Sequence, residues 1–178
     1  EDLGGNMKII ISPYSARLHN GLPSPKSYPY WKQLVALLNR DGWEVVQIGV
    51  KGEDRIPGVG QYVQNWPFTK LVDLVRECET WIAVDNFFPH FCNFHRLKPG
   101  VVIFGPSDPS IFGYHQNANV LRGREYLRPH QYGSWTEWHH DPSAFVFAEN
   151  ILPHLYRLVP QPFARKRNVS PATVTAGV

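Results

Sequence analysis

The stretch Trp81–Gly113, WIAVDNFFPHFCNFHRLKPGVVIFGPSDPSIFG, decides how the fold is read. It opens on a short apolar run, Trp81-Ile82-Ala83-Val84, which stops at a polar turn and so predicts a buried strand. Asp85-Asn86 follows. Pro89 then suits the first turn of a helix, where its missing N–H would have no intrahelical partner anyway. A second apolar run, Val101 to Phe104, ends in Gly105-Pro106-Ser107-Asp108-Pro109. Strand, polar turn, short helix, strand, polar turn is one unit of a parallel α/β sheet. Both polar turns lie beyond the carboxyl ends of their strands, where open sheets of this kind bind ligands.

The same alternation continues upstream. Lys8-Ile9-Ile10-Ile11-Ser12 is β-branched and predicts a buried first strand. A polar loop from Pro13 to Ser27 contains Asn20-Gly21, Pro23, Pro25 and Lys26. A helix is predicted from about Tyr28 to Arg40, because Trp31, Leu34, Val35 and Leu38 share one face and Asp41-Gly42 supplies a stop. Trp43 to Ile48 reads as the next strand, and Phe68 to Cys78 as a second amphipathic helix leading into Trp81. Beyond Asn117 the pattern weakens. Asn119 to Arg122 suits a short strand, and Asp141-Pro142 predicts the start of a last helix carrying Ala144, Ala148, Ile151, Leu152 and Leu155. The expected fold class is α/β, a doubly wound parallel sheet with right-handed crossovers.

Composition agrees with one globular domain. At 178 residues, with 43% hydrophobic and 13% aromatic side chains, the chain can bury a single core and is too short for two domains of ordinary size. Residues 1–6 ahead of Met7 read as a remnant outside the fold, 7–158 as the domain, and 159–178 as a loose basic tail. No apolar run approaches the roughly 20 residues of a membrane span, and no basic-then-apolar leader is present. Two cysteines are too few for a disulfide scaffold, so a cytoplasmic location is expected. The net charge of +3 owes part of its sign to Arg165-Lys166-Arg167. A solvated terminus is the simpler reading of that cluster, and contact with nucleic acid the alternative.

Val84-Asp85-Asn86-Phe87-Phe88-Pro89-His90-Phe91 and the run Pro99-Gly100-Val101-Val102-Ile103-Phe104-Gly105-Pro106-Ser107-Asp108-Pro109 together resemble the ADP-heptose:lipopolysaccharide heptosyltransferase family, glycosyltransferase family 9. That family carries Asp-Ser/Thr-Gly-x-x-His, then Pro-x-Val-x-Leu-Phe-Gly-Pro-Thr-Asp-Pro. The second motif is nearly complete here. The first keeps Asp85 and His90 at their spacing but has Phe87 at the family glycine. Lys26-Ser27-Tyr28-Pro29 resembles the family's Lys-x-Trp-Pro, and Gly49-Val50-Lys51-Gly52-Glu53 its Gly-x-x-x-Glu. The resemblance runs from about Lys8 to Leu155 and implies a single Rossmann-like lobe, the donor lobe of a GT-B glycosyltransferase. The acceptor lobe, which in the family precedes this one and holds the catalytic carboxylate, has no counterpart in the sequence. No catalytic residue is assigned on that basis, and turnover stays open.

The resemblance implies a nucleotide-diphosphate sugar as donor ligand, and the residues can be matched to its parts. Pyrophosphate calls for a cation and helix N–H donors, which Lys26 and the N–H groups of Phe87 to His90, after Asn86, would supply (Pro89 gives none), and the resemblance implies a further hydrogen bond to phosphate from the His90 side chain. Ribose hydroxyls suit a carboxylate, here Glu53. Asp85 suits either sugar hydroxyls or the helix N-cap, the cap alone being the simpler role. Phe87 either narrows the phosphate turn or stacks on a base or sugar. Ser12, Ser107 and Asp108 complete the donor-binding set, although Gly-Pro-Ser-Asp is also an ordinary turn. On this reading Lys26→Ala or His90→Ala weakens diphosphate binding without unfolding the domain.

No metal or other cofactor is expected. His90, Cys92 and His95, with His139-His140-Asp141 further on, match no standard zinc spacing, and the resembled family uses no metal for transfer. Three readings result: a glycosyltransferase whose acceptor lobe comes from a homo-oligomer or partner chain, a nucleotide-sugar binding module without catalysis, or an interaction protein presenting Trp66, Tyr132, Trp135 and Trp138.

Overall fold

The computed structural model describes residues 7–18, 20–135 and 139–162. Six strands form one sheet: β1 (Lys8–Ser12), β2 (Glu44–Gly49), β3 (Gln61–Gln64), β4 (Thr80–Val84), β5 (Val101–Phe104) and β6 (Ala118–Leu121). Every pairing is parallel, in the order β3-β2-β1-β4-β5-β6. The order reverses between β1 and β4, which opens a crevice above their carboxyl ends.

Strand side chains alternate between two cores, as the period of two requires. Ile9, Ile11, Ile82, Val84, Val101 and Ile103 join one cluster under helix α1 (Trp31–Arg40) and the C-terminal helix. Ile10, Val46, Trp81, Ala83, Val102 and Phe104 join the other, under α2 (Phe68–Glu77) and α3 (Phe87–Phe94). Helix α1 buries the four residues its spacing picked out, Trp31, Leu34, Val35 and Leu38. Burying a side chain of this size contributes roughly 1.5–3 kcal/mol, whereas an isolated helix of this length is marginal in water. Packing therefore holds it.

Three expectations are corrected. First, α1 starts at Trp31 and not near Tyr28. Tyr28 is instead buried before the helix, its hydroxyl donating to Val146 O at 3.0 Å and its ring meeting Trp31 and Phe145 edge-on. Second, β3 (Gln-Tyr-Val-Gln) was not expected, because it is an edge strand in which only Val63 is buried. Third, the last helix is broken. Asp141 does accept from Ser143 N, but it caps only a 3₁₀ turn, Pro142–Ala144. Another such turn spans Ala148–Asn150, and α5 proper runs from Leu152 to Leu158. Phe145 and Phe147 between them are extended, with Phe145 fully buried. Seating that ring under the sheet outweighs one continuous helix.

Candidate functional site

The residues proposed from the sequence surround the carboxyl ends of β1, β2, β4 and β5, in two separate environments. At the β1–β2 end is a cleft of about 450 Å³, lined by Tyr14 to Arg17, Pro23, Ser24, Ser27 and Val50 to Asp54. Glu53 lies in it. Its Oε2 accepts from Val50 N at 2.9 Å, which curls the turn after β2 back over Gly49. A Cβ on Gly49 would overlap that carboxylate, so the glycine makes room for it. Burial raises the Glu53 pKa above its usual value, with the Val50 N–H opposing the shift. Burial likewise lifts the Tyr14 phenol to about 12, helped by the negative charge of Asp54. Tyr62 from β3 braces the turn by donating to Glu53 O at 2.9 Å.

At the β4–β5 end the side chains are charged and enclosed. Lys26 Nζ lies 2.8 Å from Asp85 Oδ2, with side-chain exposures of 19% and 5%. The contact is a charge pair outside hydrogen-bond geometry, and that oxygen has no hydrogen-bond partner. Two rings flank the ammonium, Trp135 at 4.9 Å and Phe112 at 5.5 Å from their centroids. Lys26 is thus no ordinary loop lysine. Truncating it would leave a buried carboxylate uncompensated, so Lys26→Ala should lower stability as well as diphosphate binding.

Asp85 does not cap α3. The cap is Asn86, whose Oδ1 accepts from Phe88 N at 2.9 Å. Asn suits this position as well as Asp, and the amide brings a donor that a carboxylate lacks. Asn86 Nδ2 faces Ser12 Oγ and Tyr14 O, both at 2.9 Å, and Ser12 O at 3.2 Å. One side chain thereby ties β1 to β4 across the point where the strand order reverses. Ser12 and Asn86 frame the crevice, and the Asn86 amide is already committed on both sides.

Phe87 is 47% exposed and leans on Phe68, Phe88 and Phe91, on the α2 side of the sheet. Its ring is not one of the two over Lys26. His90, on the first turns of α3, is exposed and shares a 2.9 Å hydrogen bond with Tyr114 Oη. The N-terminus of α3 is a thin cradle for an anion: Asn86 already takes the N–H of Phe88, and Pro89 has none.

The turn after β5 is structural to a degree its sequence did not reveal. A Cβ on Gly105 would run into the Phe145 ring. Asp108 caps α4 (Pro109–Phe112), accepting from Ser110 N at 2.9 Å and Ser110 Oγ at 2.7 Å. Arg124 grips the same carboxylate through two nitrogens, at 2.8 and 3.3 Å. Those bonds, that of Arg124 first, hold the Asp108 carboxyl below its usual pKa. Asp108 therefore organises the turn, its Oδ1 accepting three bonds and its Oδ2 one. Ser107 beside it is fully buried, and its Oγ has no hydrogen-bond partner.

Sequence reasoning missed Arg124 and Arg128. Neither stands in a motif, and only the return of the chain after β6 brings them to the turn. Arg128 N donates to Pro106 O at 2.8 Å. Gln131 bridges Pro106 O and the backbone N of Asp108, at 3.0 and 2.9 Å. Among the described residues no three His, Cys, Asp or Glu side chains come together as a metal site. Cys78 and Cys92 are buried free thiols, and burial raises the pKa of both, that of Cys78 to about 11. Trp66 and Trp135 both contact lysines, and Tyr132 is exposed. Trp138 and the Arg165-Lys166-Arg167 cluster lie outside the described residues.

No family model matches the sequence, and no curated protein does. Solved structures do match by shape. E. coli ADP-heptose LPS heptosyltransferase II superposes with a TM-score of 0.62 at 16% identity, over 87% of this chain and 47% of that one. The family 9 glycosyl transferase from Veillonella parvula gives 0.59 at 14% identity, over 83% of this chain and 44% of that one. The dodecameric iron-containing glycosyltransferase TibC from enterotoxigenic E. coli gives 0.55 at 17%, over 81% and 37%. The chain spans less than half the length of each. The shared feature is the fold, which in this chain is a Rossmann-like α/β lobe with an all-parallel six-stranded sheet. Among the described residues no helix is long and apolar enough to cross a membrane.

Proposed function

We propose that the chain binds a nucleotide-diphosphate sugar across the carboxyl edge of the sheet and serves as the donor-binding part of a glycosyltransferase. The Lys26–Asp85 pair at the β1–β4 crevice, beside the Glu53 cleft, is the observation that carries this reading. In it the nucleoside occupies the cleft, with Glu53 accepting from ribose hydroxyls. The diphosphate reaches Lys26, whose charge is already fixed in place by Asp85. Asp85, beside it, accepts from a sugar hydroxyl. A preorganised cation costs no reorganisation when the diphosphate leaves, which is how such groups lower a barrier. One solved relative in fold is described in complex with ADP-D-β-D-heptose, which makes ADP the first nucleotide to try.

Transfer needs an acceptor surface as well, and a homo-oligomer or partner chain is proposed to supply it. The dodecameric state of TibC shows that the fold tolerates assembly in a relative. A second reading, nucleotide-sugar binding without transfer, draws on the thin N-terminus of α3, where Phe87 and Pro89 replace a close-approach turn. Calorimetric titration with ADP, UDP, GDP and CDP and their monophosphates tests the shared claim. One diphosphate binding more tightly than its monophosphate supports it. Equal affinities, or no heat at millimolar ligand, overturn it.

A further inference from the structure

Arg128 is the cation that the site does not explain. Its partner at Nη2 is Ser134 O, and its guanidinium lies 4.4 Å from the centroid of Trp135. Nη1 is buried and has no hydrogen-bond partner. The other charges nearby are compensated: Lys26 by Asp85, and Arg124 by Asp108. Arg128 makes no ion pair with any described residue. A buried guanidinium N–H without an acceptor is unfavourable, and the arrangement persists because the segment is pinned. Arg128 N and Gln131 Nε2 both donate to Pro106 O, at 2.8 and 3.0 Å.

Pro106 adjoins Ser107, whose buried hydroxyl is also unpartnered. The indole of Trp135, 4.4 Å from the guanidinium, also lies 4.9 Å from Lys26 Nζ. Two cations thus share one ring, and two enclosed polar groups with unmet capacity sit on one turn and the segment bonded to it. A cation–π contact is weaker than a charge-assisted hydrogen bond. The N-terminus of α3 is depleted of free donors, as Phe88 N is capped and Pro89 has no N–H.

We infer that Lys26, Arg128 and Ser107 form a two-cation diphosphate site on the β5 side of the crevice, with Arg128 as a ligand-binding residue. The guanidinium offers two N–H groups in a plane that suits phosphate oxygens, and the hydroxyl of Ser107 donates a third bond. An anion reaching the two cations takes over the space Trp135 now covers. The inference rests on the nucleotide-sugar reading for its natural ligand, but the anion chemistry can be tested without it.

Inorganic pyrophosphate is therefore titrated alongside ADP and AMP into the wild type, Arg128→Gln and Ser107→Ala, with thermal unfolding as a fold check. The wild type is expected to bind pyrophosphate. Loss of a charged hydrogen-bond donor typically weakens binding by about tenfold or more, so Arg128→Gln should weaken pyrophosphate and ADP alike and AMP much less. Ser107→Ala removes an unpartnered hydroxyl, so it should unfold at the same temperature or higher and still bind pyrophosphate less tightly. If Arg128→Gln fails to fold, Ser107→Ala decides. Pyrophosphate binding without nucleotide binding keeps the two-cation site and defeats the nucleotide-sugar reading. ADP binding that neither substitution changes defeats the site and leaves that reading standing. No binding of either ligand defeats both.

Discussion

The two ends of the crevice are built on opposite principles. At the β1–β2 end an open cleft of about 450 Å³ is held by backbone turns, and Glu53 in it pays a desolvation cost for being there. At the β4–β5 end the carboxylates are enclosed and paired, Asp85 with Lys26 and Asp108 with Arg124, and the Trp135 ring covers Lys26 and Arg128. The first end has room and little commitment. The second is committed and has little room. A ligand with an apolar, hydrogen-bonding half and a doubly charged half matches that division, and so does a site that must hold a nucleoside by shape and a diphosphate by charge.

The largest effect should come from breaking the charged end. Lys26→Ala strands the buried Asp85 carboxylate and should cost about 3 kcal/mol or more, seen as a lower denaturant midpoint with unchanged slope. Combining it with Asp85→Asn should recover much of that loss, because no buried charge is then left alone. Failure of the double variant to recover would mean that Lys26 acts through packing on Trp135 and Phe112. Gly105→Ala drives a Cβ into Phe145 and should cost about 1–3 kcal/mol as overpacking. A neutral result there would show that Phe145 is free to move.

Asp108→Asn sharpens the contrast more gently. It loses the Arg124 pair, two-thirds exposed on the arginine side, while Asn can still cap α4, so the cost should be about 0.2–1 kcal/mol. Because the folded pKa of Asp108 is lowered, its stabilisation is fully present above the ordinary carboxylate range and is lost as pH falls through the lower, folded value. Acid titration of stability should therefore flatten in Asp108→Asn. Glu53 has the opposite sign and the smallest effect. With its folded pKa above 4.5, stability falls as pH rises from that value through the folded one, then stays level. Glu53→Gln should remove this slope and raise stability near neutral pH by a few tenths of a kcal/mol, while weakening nucleoside binding. A Glu53→Gln variant that binds AMP as tightly as the wild type would separate Glu53 from the ribose.

Much of the architecture was legible because periodicity reports burial. Trp31, Leu34, Val35 and Leu38 announced α1, and the β-branched run at Ile9–Ile11 announced the central strand. Edge strand β3 was not legible, since two of its four residues are glutamine and one face meets solvent. Nor was the broken C-terminal helix, where the burial of Phe145 is a tertiary demand that no local spacing records. For the site, the motifs picked out turns that the fold places at the carboxyl ends of the strands, but not the division of labour within them. Asp85 and Asn86 are neighbours and both can cap a helix, and only the register of β1 against β4 made the amide the better bridge to Ser12 and Tyr14. Arg124 and Arg128 came from a segment with no pattern at all.

Hydrogen exchange with and without saturating ADP tests the division most directly. The expected result is slowed exchange at both ends at once, in Val50–Asp54 and in Ser107–Trp135. Protection confined to one end, or absent from both, would contradict a single ligand site split between an open cleft and a charged turn.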